Sequence, residues 1–253
     1  MSSTLLPTGL GLGVAMVVLV GVAVVTAWVG RLGRSWSALT ASVRAVIQLA
    51  VVALVLAAVV DSWSLTAGFV IVMYAAASVT AGRRMTRSRE ASWAAVPVVA
   101  STLPVLVVLL VTGVLPARAL AVIPVAGILI GGAMTATALA GRRALDDLRV
   151  RRGEVEAALS LGLLPRDAAL EICRPAASSA LVPVTDQTRT VGLVTLPGAF
   201  VGMLLGGASP VQAGAVQLFV LVALLAVETV AVVVTLELVA RGLLARRGPL
   251  AGS

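Results

Sequence analysis

The sequence contains no histidine and no lysine, and Cys173 is its single cysteine. One cysteine excludes an intramolecular disulfide and any zinc or iron–sulfur site built from several cysteines. A P-loop is excluded as well, because that motif needs a lysine on the nucleotide phosphates. With no histidine and one cysteine, a membrane-embedded enzyme would also lack its usual cluster of catalytic groups, so no catalytic residue is predicted.

Charged and aromatic side chains are equally scarce. Only 12% of the 253 residues are charged and 3% are aromatic, whereas 60% are hydrophobic. Soluble globular proteins carry roughly 25% charged residues, so these side chains cannot build a water-soluble surface. The composition predicts an all-α, polytopic membrane protein with residues 1–253 forming a single transmembrane domain.

Long apolar runs supply the membrane-spanning segments, since a spanning helix needs about 20 apolar residues. The first is expected to be a retained helix rather than a cleaved signal peptide, because no basic residue precedes it. Seven runs meet this criterion, at about 9–29, 38–60, 64–81, 91–113, 119–140, 188–207 and 211–239.

The arginines predict which way the helices cross. Sixteen of the 19 arginines fall in alternate connecting segments and one, Arg118, falls in the others. The remaining two, Arg44 and Arg189, lie in or at the edge of spans. Because cytoplasmic segments carry the excess of arginine and lysine, the N-terminus is expected outside and the C-terminus in the cytoplasm. The net charge of +8 is therefore explained by the arginines of the cytoplasmic segments, and no nucleic-acid partner is expected.

The longest cytoplasmic segment, about 141–187, is the only one with enough polar character to form structure in water. Leu145, Leu148, Val155 and Leu159 recur at helical spacing. Leu164-Pro165 predicts a break followed by a new helix, since proline suits a first helical turn. We expect a helix–turn–helix that projects from the membrane; the alternative is a solvated linker.

A motif in this segment predicts docking to a separate ATPase. Its residues match the EAA signature of ABC importer permeases, with Arg174 where leucine is usual. Small alanines would allow close approach, glycine a sharp turn, and apolar residues would fill a cleft on the ATPase. The predicted ATPase-coupling residues are Glu156, Ala157, Ala158, Leu159, Gly162, Pro165, Ile172 and Pro175.

Several further stretches resemble the FetB-type ABC permeases, in order along nearly the whole chain. They are residues 42–49 (SVRAVIQL), 122–127 (VIPVAG) with 132–134 (GAM), 159–162 (LSLG), 181–183 (LVP), and 186–198 (DQTRTVGLVTLPG). The last stretch is highly specific. The resemblance implies the membrane subunit of an exporter in the bacterial inner membrane, linked to iron export. Related plant proteins are linked to aluminium tolerance, with a nucleotide sugar as a suggested cargo.

Ionisable residues within spans are costly and usually face a partner or a cavity. Arg44, Asp186, Arg189 and Glu228 are expected in one layer of the inner leaflet, with Arg44 or Arg189 pairing with Asp186 or Glu228. Gln48, one turn from Arg44, and Gln187 are further cavity candidates. Alternatively, Arg44 extends to the headgroups and the Asp186–Arg189 pair caps a helix start. No metal site is identifiable from the sequence.

Glycines at four-residue spacing predict close helix packing, as in small-xxx-small motifs. They are Gly198, Gly202 and Gly206 in the sixth predicted span, and Gly127 and Gly131 in the fifth. The packing partner is either the same chain or a second copy of it.

The sequence therefore predicts an ABC permease that works as two copies with two ATPase subunits in the lipid bilayer. This chain would have no cofactor of its own, because ATP and magnesium would bind the partner subunit. The expected cargo is iron or a related metal complex. The alternatives are another cargo, such as a nucleotide sugar or organic anion, and an ATP-independent secondary transporter.

Overall fold

Ten α-helices account for most of the chain in the computed structural model, which describes residues 9–33, 35–59, 62–86 and 89–244. They are α1 (Leu10–Val29), α2 (Ser35–Val59), α3 (Trp63–Met85), α4 (Ala95–Val111), α5 (Ala119–Val150), α6 (Arg152–Ser160), α7 (Pro165–Ser178), α8 (Val182–Thr190), α9 (Gly198–Leu205) and α10 (Pro210–Ala240). Short 3₁₀ helices cover Arg89–Ala94 and Ser179–Leu181. Arg34, Arg87, Arg246 and Arg247, four of the sixteen arginines in alternate connecting segments, lie outside the described residues.

Six of the described helices are long and apolar enough to cross a membrane: α1, α2, α3, α4, α5 and α10. The all-helical, polytopic architecture expected from the composition is confirmed. Helix α5 has 32 residues and is about 48 Å long at 1.5 Å per residue. It therefore continues about 15 Å past the predicted span end at residue 140, which brings its last turns out of the apolar layer.

The chain divides into two units, residues 1–62 and 63–253. In the first unit, α1 packs against α2, and α1 has no buried residue among those described. In the second unit, α5 packs against α3, α4, α7 and α10. Its buried side chains are mostly alanine, leucine and isoleucine, so the core of this unit is built around α5. The prediction of a single domain stays a prediction.

Close contacts along α5 fix the direction of α3. A Cβ added to Gly127 would lie 3.1 Å from Met73 Cε, and one added to Gly141 would overlap Met85 Sδ. The contacting residue numbers rise together along both helices, so α3 and α5 run parallel.

Helix α10 runs in the same direction. Gly132 of α5 faces Leu224 and Glu228, while Gly141 faces Thr235. Helix α4 is antiparallel to α3: Gly82 contacts Ala91 near their connection, and Thr102 Oγ1 bonds the Tyr74 hydroxyl at 2.8 Å farther along. The arginines that end α3 (Arg83, Arg84) and follow α10 (Arg241) therefore lie at the same end of the unit as Arg142 of α5.

The sixth predicted span, 188–207, is not one helix, and this corrects the prediction of seven continuous spanning helices. Helix α8 ends at Thr190, and α9 covers only Gly198–Leu205. The helix stops because Val191 is extended and Gly192 has a φ of +83°. Pro197 then disfavours a helical conformation at Leu196.

The chain must nevertheless run back along the bundle in this region. Because α5 and α10 run parallel, the residues between them have to return from the end of α5 to the start of α10. Both α8 and α9 pack against α10, so the return follows that helix. A crossing in broken form, and with it the predicted alternation of loops, stays a prediction for this part of the chain.

The broken crossing predicts opposite accessibility for its two ends. In a Cys173→Ala background, a cysteine at Leu161 in the α6–α7 turn and one at Ala208 before α10 should react with a membrane-impermeant maleimide from opposite sides of oriented vesicles. Labelling of both positions from the same side would show that residues 188–207 do not cross.

Packing between α3 and the 3₁₀ segment predicts intolerance at Gly82. A Cβ there would lie within overlap distance of the Ala91 backbone carbonyl, which cannot move aside as a flexible side chain would. We expect Gly82→Ala to destabilise the protein by about 1–3 kcal/mol, the usual cost of overpacking, seen as a lower thermal midpoint in detergent. Gly68→Ala in the same helix is the matched control, because a Cβ there meets nothing within 4 Å; equal midpoints for the two variants would contradict the packing.

Candidate functional site

Helices α6 and α7 form a hairpin after the end of α5, as the helix–turn–helix prediction required. Gly162 closes α6 with a φ of +89°. Its N–H donates to the Leu159 carbonyl at 2.9 Å, and the Leu163 N–H donates to the Ala158 carbonyl at 3.2 Å. These two bonds form a Schellman motif, whose left-handed position favours glycine. Pro165 then starts α7 at a position that needs no N–H donor.

A small apolar cluster holds the two arms of the hairpin together. Val155 of α6 packs with Ala168 and Ile172 of α7, all three buried. Leu148 of α5 and Leu159 of α6 cover the same cluster. The hairpin therefore has its own core, which a solvated linker would not need.

Helix α7 is docked on the membrane helices along its whole length. Its buried side chains are Ala168, Ala169, Leu170, Ile172, Cys173 and Ala177. Ala168 and Ile172 belong to the hairpin cluster, and the helix also packs against α5 and α10. Burial raises the pKa of the Cys173 thiol to about 11, so the thiol stays protonated near neutral pH. Helix α6, by contrast, buries only Val155.

Arg151, between α5 and α6, fastens the hairpin to α5. Its guanidinium donates to Glu154 at 2.8 Å, to Asp147 at 3.5 Å, and to the backbone carbonyl of Ile172 in α7 at 3.2 Å. The hydrogen bond between the two side chains lowers the pKa of the Glu154 carboxyl and raises the pKa of the Arg151 guanidinium. One cation thus joins α5, α6 and α7.

Arg166, at the start of α7, makes a second link, to α10. Its Nε and one terminal nitrogen donate to the two carboxylate oxygens of Glu237 at 2.7 and 2.8 Å. Arg241 donates to the same carboxylate at 2.6 Å. The pairing raises the pKa of Arg166. The sequence does not predict this cluster, because Arg166 and Glu237 are 71 residues apart and no local pattern connects them.

The turn between the arms presents an apolar tip. Leu161 is 82% exposed and Leu164 is 68% exposed. Beside it, Glu156 forms an exposed ion pair with Arg152 at 2.8 Å, and Ala157 is exposed. Exposed leucines outside the apolar layer are a surface that a partner protein can cover.

The eight predicted coupling residues therefore have two structural positions. Ala158, Leu159 and Ile172 pack within the hairpin, and Gly162 and Pro165 shape its turn. Glu156, Ala157 and Pro175 lie on exposed faces. Their role in binding an ATPase stays a prediction.

Asp186, Gln187 and Arg189 lie in the last turns of α8, so the alternative prediction that the Asp186–Arg189 pair caps a helix start is wrong. The helix ends at Thr190 because Gly192 takes a left-handed conformation. Asp186 and Arg189 pair at 3.8 Å with both side chains exposed. This spacing within one helix gives the pair little stabilising effect.

Glu228 faces α5 and not the Asp186–Arg189 pair. Its Oε1 would lie 2.8 Å from a Cβ added to Gly132, and its half-buried carboxylate fits there because glycine leaves room. Within the described part of the chain, no ion pair or hydrogen bond involves Glu228. The predicted pairing of Glu228 with Arg189 is therefore not formed in this structure.

Arg44 and Gln48 line one side of α2, with Leu39, Thr40, Val43 and Ile47 around a shallow depression. Both residues are exposed. They belong to the first unit, so their predicted layer with Asp186, Arg189 and Glu228 stays a prediction.

The predicted packing glycines have different environments. Gly127 does lie against α3, at Met73. Gly131 faces open space, whereas Gly132 and Gly141 make the close approaches to α10. A Cβ at Gly198 or Gly202 would meet nothing within 4 Å, and one at Gly206 only its own helix end. The described chain supplies no packing partner for the Gly198–Gly202 pair.

The buried face of α7 predicts an unreactive cysteine. Cys173 is fully buried and its raised pKa leaves little thiolate, the nucleophilic form. Maleimide at pH 8 should leave the folded protein unlabelled and should label it after denaturation. An engineered cysteine at Leu161 in the Cys173→Ala background is the positive control; rapid labelling of native Cys173 would show that α7 is not docked on α5 and α10.

The amino-acid sequence of the chain is similar to those of a known protein family. The family model described as "Uncharacterised protein family (UPF0014)" matches residues 11–244. The rice (Oryza sativa subsp. japonica) UPF0014 membrane protein STAR2 is 37% identical over 222 residues, covering 86% of this chain and 77% of the rice protein. Protein ALUMINUM SENSITIVE 3 of Arabidopsis thaliana is 33% identical over 221 residues, covering 85% and 80% of the two chains.

A bacterial relative is also similar over most of its length. The Escherichia coli (strain K12) protein named "Probable iron export permease protein FetB" is 32% identical over 207 residues, covering 78% of each chain. No solved structure matches the chain significantly.

Proposed function

This chain belongs to the UPF0014 family of multi-pass membrane proteins, and we propose that it is the membrane-spanning permease subunit of an ABC transporter. A separate ATPase would bind the α6–α7 hairpin, and its ATP-driven closure would move that hairpin. The name of the bacterial relative FetB supports a permease. The observation that best supports an ATPase partner is the α6–α7 hairpin, which has its own core, a turn closed by glycine and an exposed leucine tip.

The hairpin has the properties that a docking element needs. The tip residues Leu161 and Leu164 are apolar and exposed, so covering them is favourable. Behind the tip, Val155 and Ile172 keep the arms together, and Arg151 and Arg166 tie them to α5 and α10. A force on the tip would therefore reach the membrane helices rather than bend a loose loop.

The orientation follows from the arginines. The hairpin shares its end of the second unit with Arg83, Arg84, Arg142 and Arg241, and segments rich in arginine face the cytoplasm. This orientation would put the hairpin where a cytoplasmic ATPase could bind. Two copies of the chain would pair with two ATPase subunits in the cytoplasmic membrane.

For the cargo, we propose iron or a related metal complex, exported from the cell. Support comes from the name of the E. coli relative. Transition metals favour histidine and cysteine side chains, and the chain has no histidine and one cysteine. A cargo already chelated or carried as an anion would fit a chain whose cations are all arginine. Nucleotide sugars and organic anions are the competing cargoes.

The central test is reconstitution in liposomes with the ATPase encoded beside the gene. We expect a stable complex, ATP hydrolysis stimulated by cargo, and directional flux of radiolabelled iron complexes, with nucleotide sugars and organic anions as competitors. Flux without the ATPase would support a secondary transporter. Absence of any complex with the ATPase would overturn the proposal.

Substitution of Gly162 tests the hairpin directly. Alanine in the left-handed conformation costs about 1–2 kcal/mol, so Gly162→Ala should distort the turn and lower ATPase affinity roughly tenfold. Gly153→Ala is the matched control within α6, because that position has ordinary helical geometry and open space for a Cβ. Equal affinities in a pull-down titration of the two variants would show that the turn does not contribute to docking.

A further inference from the structure

The carboxylate of Glu237 joins two structural parts that would otherwise meet only through apolar contacts. Both of its oxygens accept hydrogen bonds from the Arg166 guanidinium, at 2.7 and 2.8 Å. Such a two-bond fork fixes orientation as well as distance. In residues 89–244, which include both helices, this is the one charged or hydrogen-bonded contact between α7 and α10.

Stability alone does not account for this pair. The Arg166 side chain is 48% exposed and that of Glu237 is 27% exposed, and exposed ion pairs usually contribute little to folding. Helix α7 is already held by its buried apolar face and by the bond from Arg151 to the Ile172 carbonyl. The geometry of the fork instead fixes the start of α7 to the last turn of α10.

Helix α10 leads from this fork into the membrane part of the bundle. It is one unbroken helix of 31 residues. Leu224 and Glu228, which approach Gly132 of α5, precede Glu237 in the same helix. At 1.5 Å per residue, Glu228 lies about 14 Å along the helix axis from Glu237. Movement of the last turn would therefore be carried along α10 to its contact with α5.

We propose that Glu237 is a positioning residue for energy coupling: through Arg166 it transmits movement of the α6–α7 hairpin to α10. This proposal rests on the ATPase-driven function above and extends it to a named link. Arg151 would hold the start of α6 to α5. Movement of the ATPase would therefore act on α5 and α10 through separate contacts. The contact of Gly132 with Glu228 lies between those two helices.

The test follows α10 directly and needs no knowledge of the cargo. The full chain in complex with its ATPase, in the Cys173→Ala background, carries a cysteine at Val211, which is 81% exposed at the far end of α10. Trapping the complex with ATP and vanadate should change the maleimide labelling rate at this position by at least about fivefold, the lower range of coupling between protein sites. A second reporter, Leu161→Cys in the hairpin tip, measures docking of the ATPase.

Glu237→Gln should abolish the nucleotide-dependent change at Val211→Cys while leaving the protection of Leu161→Cys intact. Arg166→Gln should have the same effect, and the double variant should be no worse than either single one, because both remove one contact. Arg241→Gln is the matched control, since it removes the other arginine on Glu237 but leaves the fork to α7.

The outcomes separate the link from the proposed function. If the ATPase docks and Val211→Cys responds equally in the parent and in Glu237→Gln, or if it does not respond in the parent, the link is overturned while the permease function stands. If no ATPase binds the chain that retains Leu161, the proposed function and the link both fail. Additive losses in the double variant would likewise contradict transmission through a single contact.

Discussion

Parallel packing of α3, α5 and α10 is the constraint on which the rest of the structure depends. Glycines on α5 allow it: Gly132 admits Leu224 and Glu228 of α10, and Gly141 admits Met85 of α3. Parallel neighbours place their arginine-bearing ends together, and they oblige the chain between α5 and α10 to travel back across the bundle. The hairpin at one end and the broken return path through α8 and α9 are both consequences of this arrangement.

The hairpin combines two kinds of interaction with different roles. Apolar packing of Val155, Ala168 and Ile172 makes it a folded element, since burial of apolar surface is the main stabilising term. Directional bonds from Arg151 and Arg166 then determine which membrane helices it is attached to. The proposed docking role needs both, because packing alone allows sliding and exposed ion pairs alone contribute little.

Much of this structure can be predicted from the sequence, and its limits have physical reasons. Apolar runs predict α1 to α5 and α10 because spanning length depends on composition alone, and glycine at residue 162 predicts the hairpin turn. Residues 188–207 were predicted as one helix because they are apolar, although Gly192 and Pro197 interrupt it. The four-residue spacing predicts Gly131 rather than Gly132 as a packing position, because a spacing rule does not fix the rotational position of a helix to within one residue. The Arg166–Glu237 contact depends on tertiary folding, which no local pattern records.

The break between α8 and α9 has a consequence for what can surround the protein. At the end of α8 the Thr190 carbonyl accepts from three amides, while the carbonyls of residues 191–194 accept no backbone hydrogen bond within the described chain. Hydrocarbon offers no donors, so backbone groups of this kind do not lie against lipid tails. Leu193 and Val194 are 91% and 78% exposed, yet their own backbone requires protein or water beside them. This stretch of apolar side chains therefore does not face lipid tails, although its side chains alone would suit them.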